Sequence, residues 1–181
     1  MRTIKSISTF MIILTFLISC ESDDDTQTTP IISTGNFKID NDQFQLSQGF
    51  VTPTEADSPG FYRKDILLSS GEYSWSQNRF IGAADGTFIT VYSDNSSFEI
   101  EGVYSITDNQ VATGQAEIFF AINYDIQNDT VDNEEDIESG TLTITKNPNG
   151  TYVFNIDNGI VDIVGNDFTL DYDGLLTTIS Q

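Results

Sequence analysis

Five stretches of this chain alternate apolar and polar residues with a period of two, and that alternation constrains the fold more than any other feature. In "DFTLDYD", Phe168, Leu170 and Tyr172 share one side, while Asp167, Thr169, Asp171 and Asp173 take the other. "TLTIT" sets Leu142 and Ile144 against three threonines, and "TYVFNID" aligns Tyr152, Phe154 and Ile156. "SFEIEGVYSI" places Phe98, Ile100, Tyr104 and Ile106 on one face, with Gly102 in line and Glu99, Glu101 and Ser105 opposite. "EIFFAINYDI" alternates Ile118, Phe120, Ile122, Tyr124 and Ile126 with Phe119, Ala121, Asn123 and Asp125. Successive side chains of a strand point to opposite faces, so these runs read as half-buried antiparallel strands. Turn chemistry separates them. Asn158-Gly159 reads as a two-residue hairpin, Pro148-Asn149-Gly150 as a turn, and Asp40-Asn41-Asp42 as the link from "NFKI" to "QFQLSQGF". Only "QNRFIGAADG" has room for a short helix. The expected fold is all-β: an antiparallel meander of about eight to ten strands, closed as a β-sandwich or a barrel.

Charge agrees with that pattern. The 181 residues carry 28 acidic and 7 basic side chains and no histidine, for a formal charge of −21. The acids sit mainly on the polar sides of the alternating runs, so a strongly charged chain still builds a core. Its 13 Phe and 7 Tyr supply apolar surface that a disordered chain lacks. So negative a surface repels phosphate backbones, and no nucleic acid is expected as a partner.

The start of the chain differs. Arg2 and Lys5 precede an apolar run from Ile7 to Ile18, which is shorter than the roughly 20 residues a spanning helix needs and fits the apolar region of a signal peptide. It ends in Leu17-Ile18-Ser19-Cys20, which resembles a bacterial lipobox. The resemblance implies cleavage before Cys20, a diacylglyceryl group on its sulfur and an acylated amine, palmitate for example. Several acyl chains hold a protein stably to a membrane without spanning it. Glu21, Asp23, Asp24 and Asp25 follow at once and resemble the acidic export tag of Bacteroidota surface lipoproteins, which implies an outer-membrane, cell-surface location. The expected organisation is a signal peptide at 1–19, a lipidated cysteine with an acidic, Thr-rich tether at 20–35, and one all-β domain at 36–181. Without residues 1–19, which include Arg2 and Lys5, the formal charge is −23.

A second resemblance covers roughly residues 86–181. "SGTLTITKNPNGTYVFNIDNG", the later "FTLDYDGLLT" and "FEIEGVYSI" are similar to the strands of small Bacteroidota lipoproteins. That group implies a lipocalin/calycin-like or sandwich domain and carries no catalytic residues across.

Without histidine there is no Ser-His-Asp or Cys-His machinery and no His-ligated zinc. The chain's single cysteine is, by the lipobox resemblance, the expected lipid acceptor. In "NEEDIESG", Glu134, Asp136 and Glu138 would share a side if extended, a spacing that resembles the catalytic strand of one family of β-sandwich glycosidases. Glu135 stands where that family has an apolar residue, so the stretch reads instead as a solvated acidic loop before a strand at Gly140. Asp129, Asp132, Glu134 and Asp136 offer the hard oxygens that Ca²⁺ takes, though the glycine of an EF-hand loop is missing; calcium is the one cofactor considered. Asp129-Thr130-Val131 resembles the Bacteroidota O-glycosylation acceptor, which implies modification of Thr130. Tyr73 and Trp75 would share one face of a strand, near Arg79, and aromatic rings with such neighbours suit a sugar or small ligand, although a large aromatic such as Trp75 more often plugs one end of the core.

The expected function is a non-catalytic, lipid-anchored binding module for a glycan or small ligand. The alternatives are an envelope interaction protein without a small-molecule site and, last, a carboxylate-based hydrolase.

Overall fold

Fourteen strands and no helix make up the regular structure of the described residues. The computed structural model describes residues 32–74, 79–107, 112–125, 127–161 and 165–179, with 79 and 80 as backbone only. The strands are β1 (Thr34–Ile39), β2 (Asp42–Leu46), β3 (Gln48–Val51), β4 (Glu55–Ser58), β5 (Phe61–Ser69), β6 (Glu72–Ser74) and β7 (Arg79–Ile81), followed by β8 (Ala84–Ser93), β9 (Gly102–Ile106), β10 (Gln115–Tyr124), β11 (Asn133–Lys146), β12 (Tyr152–Val161), β13 (Asp167–Gly174) and β14 (Leu176–Thr178). They belong to one compact unit, Ile31–Gln181. The all-β expectation holds. The count exceeds eight to ten because β3, β4, β6, β7 and β14 are three or four residues long, too short to display an alternation.

Twelve strands form one sheet in the order β14-β3-β5-β8-β10-β9-β11-β12-β13-β1-β2, with β4 added beside β5. A separate ribbon pairs β6 with β7. The connections show that the large sheet is curled until its ends meet. β2 and β3 lie at opposite ends of the order, yet only Ser47 separates them. β13 and β14 are likewise far apart in the order, and only Leu175 separates them. One intervening residue spans at most about 7 Å, so both ends must be neighbours. Tyr172 Oη on β13 donates to the Leu175 carbonyl at 3.2 Å, and a Cβ built on Gly49 of β3 would lie 2.7 Å from that same hydroxyl. Two pairings are parallel, β9 with β10 and β14 with β3. The first follows from geometry: β9 and β10 each run antiparallel to β11, so they run parallel to each other.

The inner face is a continuous core. Phe37 of β1, Phe120 of β10 and Phe168 of β13 are fully buried, with ring centroids 5.9–6.1 Å apart across the interior. Leu68, Ile89, Leu142, Ile144, Phe154, Ile156, Leu170 and Tyr172 fill the space around them. Each sits at the in-facing position that the alternation assigns to its strand.

Two of the expected turns are present. Asp40, at φ 51°, turns β1 into β2 with Ile39 opposite Asp42. Gly150, at φ 88°, donates its N–H to the Asn147 carbonyl at 2.9 Å. Asn158-Gly159 is not a hairpin: β12 runs straight through it, with a shift of register between Ile156 and Gly159. Gly159 is buried, and Gly140 on β11, at φ 140°, faces it so closely that a Cβ on Gly140 would lie 2.9 Å from the Gly159 Cα. The two glycines let the backbones meet at a bulge, a second use of glycine in strands. The reversal comes later, where Gly165, at φ 71°, donates to the Val161 carbonyl and Val161 donates to that of Asn166. No helix occupies the described part of "QNRFIGAADG"; β7 and β8 enter it from either side of Gly82, at φ 70°.

Candidate functional site

The outer face of the sheet carries an aromatic strip that the inner core does not explain. Pairing aligns Leu67 of β5 with Phe88 of β8, Phe88 with Phe119 of β10, and Phe119 with Asp136 of β11. Phe119 projects outward because its neighbours Ile118 and Phe120 project inward. The Phe88 and Phe119 rings lie parallel, 4.4 Å between centroids and 3° between planes, and Tyr124 meets Phe88 edge-on at 6.2 Å. Phe119 keeps 36% of its surface exposed.

A fork in the sheet opens a hollow beside this pair. β11 pairs with β10 at residues 133–136 and with β9 at residues 140–144, so β9 enters like a wedge between them. Where β10 and β11 part lies a cavity of about 230 Å³, lined by Thr90, Thr107, Glu117, Ile118, Phe119, Asp136 and Ile137. An adjoining hollow of about 320 Å³ is lined by Phe119, Glu134, Glu135 and Asp136. Phe119 and Asp136 border both.

Hydrogen bonds fix part of the rim. Tyr92 Oη donates to Glu117 Oε2 at 2.7 Å, and Thr90 Oγ1 donates to Asp65 Oδ1 at 2.9 Å. Burial, and then the bond to the Glu117 carboxylate, push the Tyr92 phenol well above its ordinary range, so it stays a donor. Arg63 lies on the same face but its guanidinium is shared by Glu55, Asp57 and Asp65 at 3.6–3.9 Å. The cavity therefore presents an aromatic floor, hydroxyls and carboxylates, and among the described residues neither lining contains Lys or Arg.

The residues singled out in the sequence fall elsewhere or play other parts. Cys20, Glu21, Asp23, Asp24, Asp25 and Trp75 lie outside the described residues. Arg79 is described only as backbone, paired with Ser74. Tyr73 is half-buried, its ring 5.3 Å from that of Phe50, so it lays the β6–β7 ribbon onto the sheet.

The acidic stretch is not a loop. β11 begins at Asn133, because residues 133–136 pair with β10, and Ile137 is buried. Glu134, Asp136 and Glu138 are accordingly exposed on one side, as an extended chain requires. The four carboxylates considered for calcium do not converge: among the described residues, no three acidic side chains form a group suited to a metal. Asp132 Oδ2 accepts from Asn123 Nδ2 at 2.9 Å, and Tyr124 Oη reaches Asp129 Oδ1 at 3.5 Å.

Thr130 is exposed and closes a tight turn by bridging to Asp125, whose N–H donates to its carbonyl at 2.8 Å. The Asp125 carboxylate accepts from Asn128 Nδ2 at 2.7 Å and from the Gln127 and Asn128 N–H groups. These bonds, the Asn128 amide first, hold its pKa below the ordinary carboxylate value.

Phe119 was visible in the sequence as an aromatic on the polar side of an alternating strand. Its partners Phe88 and Asp136 come from register alone, which local sequence does not specify. The chain matches no known protein family, no curated protein and no solved structure among those it was compared with.

Proposed function

We propose that this protein is a lipid-anchored, cell-surface binding module that captures a glycan or small ligand on the outer face of its sheet and performs no chemistry on it. The observation that carries the ligand site is the exposed Phe119 ring, stacked on the half-buried Phe88, at the mouth of the forked cavity. An aromatic face packs against the apolar face of a sugar ring, and the rim carboxylates and hydroxyls are hydrogen-bond partners for its hydroxyls. Leu17-Ile18-Ser19-Cys20 and the acids after it support the anchor and the outward address.

A glycan and metabolite binding screen with the full chain tests the site, with Phe119→Ala beside it. Binding that Phe119→Ala abolishes supports the proposal. A screen without binders favours the second reading, an envelope interaction protein, to which the side-chain-filled inner face also lends weight. For the anchor, Cys20→Ala should release the protein from membranes, and protease added to intact cells should reach the wild-type chain.

A further inference from the structure

We propose that the forked groove selects a ligand bearing a protonated amine on a ring with an apolar face, the chemistry of an amino sugar with a free amine. The inference rests on the binding-module reading above and adds the charge of the ligand. The floor is the exposed face of Phe119, held flat by the parallel Phe88 ring 4.4 Å away. The ring has Asp136 directly opposite it on β11 and Glu117 two residues along its own strand. Glu134 and Glu135 line the adjoining hollow.

Among the described residues, no basic side chain lines either hollow. The two basic residues of neighbouring β5 are committed elsewhere. Arg63 is held among Glu55, Asp57 and Asp65, and Lys64 Nζ donates to the Phe98 carbonyl at 2.9 Å while lying over the Phe98 ring. The described lining of the groove is thus negative, and its floor is a π face. A cation over an aromatic ring gains from the ring's quadrupole, and a carboxylate beside it adds a charge-assisted hydrogen bond. A neutral sugar would use the ring and leave the carboxylates without a charged partner. An anionic sugar would be repelled by a protein of net charge −21.

The test is calorimetric titration of the full chain, in mild detergent, with an oligosaccharide of glucosamine and with its fully N-acetylated counterpart. The expected result is that the free-amine oligomer binds roughly three- to tenfold more tightly, a preference that shrinks with added salt. Asp136→Asn should remove most of that preference, weakening the free-amine oligomer more than the acetylated one, whose hydroxyls the Asn amide can still meet. Asp136 is exposed, so this variant is compatible with the fold. Equal binding of both oligomers overturns the amine selectivity and leaves the sugar-binding reading standing. Binding of neither oligomer overturns the amino-sugar assignment, and the glycan and metabolite screen then decides the wider reading. Binding that survives Phe119→Ala overturns the location.

Discussion

Phe119 and Phe120 are neighbours in sequence and opposites in circumstance. Phe120 is fully buried and meets Phe37 and Phe168 from strands at the far side of the curled sheet. Phe119 stacks on Phe88 and keeps a third of its surface in water. The same residue type therefore fills the interior of the curled sheet on one face and offers a flat ring on the other. Position on a strand, rather than residue type, separates the ring that holds the fold from the ring that faces water.

That contrast can be broken by substitution. Phe120→Ala removes a ring from a core that cannot close over the gap, and should cost about 3–5 kcal/mol of stability in denaturant unfolding. A loss under about 1 kcal/mol would mean that the inner face is not the main support of the fold. The inner face also contains one flaw. Thr87 is fully buried opposite Leu68 and Phe120, and its hydroxyl has no hydrogen-bond partner. Thr87→Val should therefore stabilise the protein by about 1 kcal/mol, visible as a raised unfolding midpoint. On the outer face, Phe119→Ala should cost less than about 1 kcal/mol, little beyond its ring stacking, while abolishing ligand binding. Stability loss equal to that of Phe120→Ala would erase the distinction between the faces.

The last difference is silent at neutral pH. Burial raises the phenol pKa values of inner-face Tyr104 and Tyr172, which donate to the Ile100 and Leu175 carbonyls. Below the ordinary phenol value of about 10 both folded and unfolded chains hold these protons, so stability is unaffected. Above it the unfolded chain releases them first, and stability falls as pH rises toward the folded values. Denaturant midpoints taken from pH 8 to 11 should decline only in the upper part of that range. Tyr104→Phe should decline less steeply than wild type.

The alternating runs made most of the inner face legible. Phe168, Leu170, Tyr172, Leu142, Ile144, Phe154 and Ile156 are all buried where the period of two puts them. What stayed hidden depends on which strand lies beside which. Asn158-Gly159 carries the local chemistry of a turn, but Gly140, nineteen residues earlier, makes it a bulge by coming within van der Waals reach. The acidic stretch at 133–136 looks like solvent-exposed loop until β10 is placed next to it. The candidate groove is hidden for the same reason. It belongs to no segment and exists only where three strands fork.

β1 enters the sheet with β13 on one side and β2 on the other, paired along its whole length with the first and most of it with the second. A pull on the chain ahead of Thr34, where it acts along the strand axis, loads both ladders at once. In that direction the pull shears the ladders, since the hydrogen bonds share the load and do not open one at a time. A domain held at its leading end, as a lipid on Cys20 would hold this one, meets drag from its surroundings at a strand laddered on both sides.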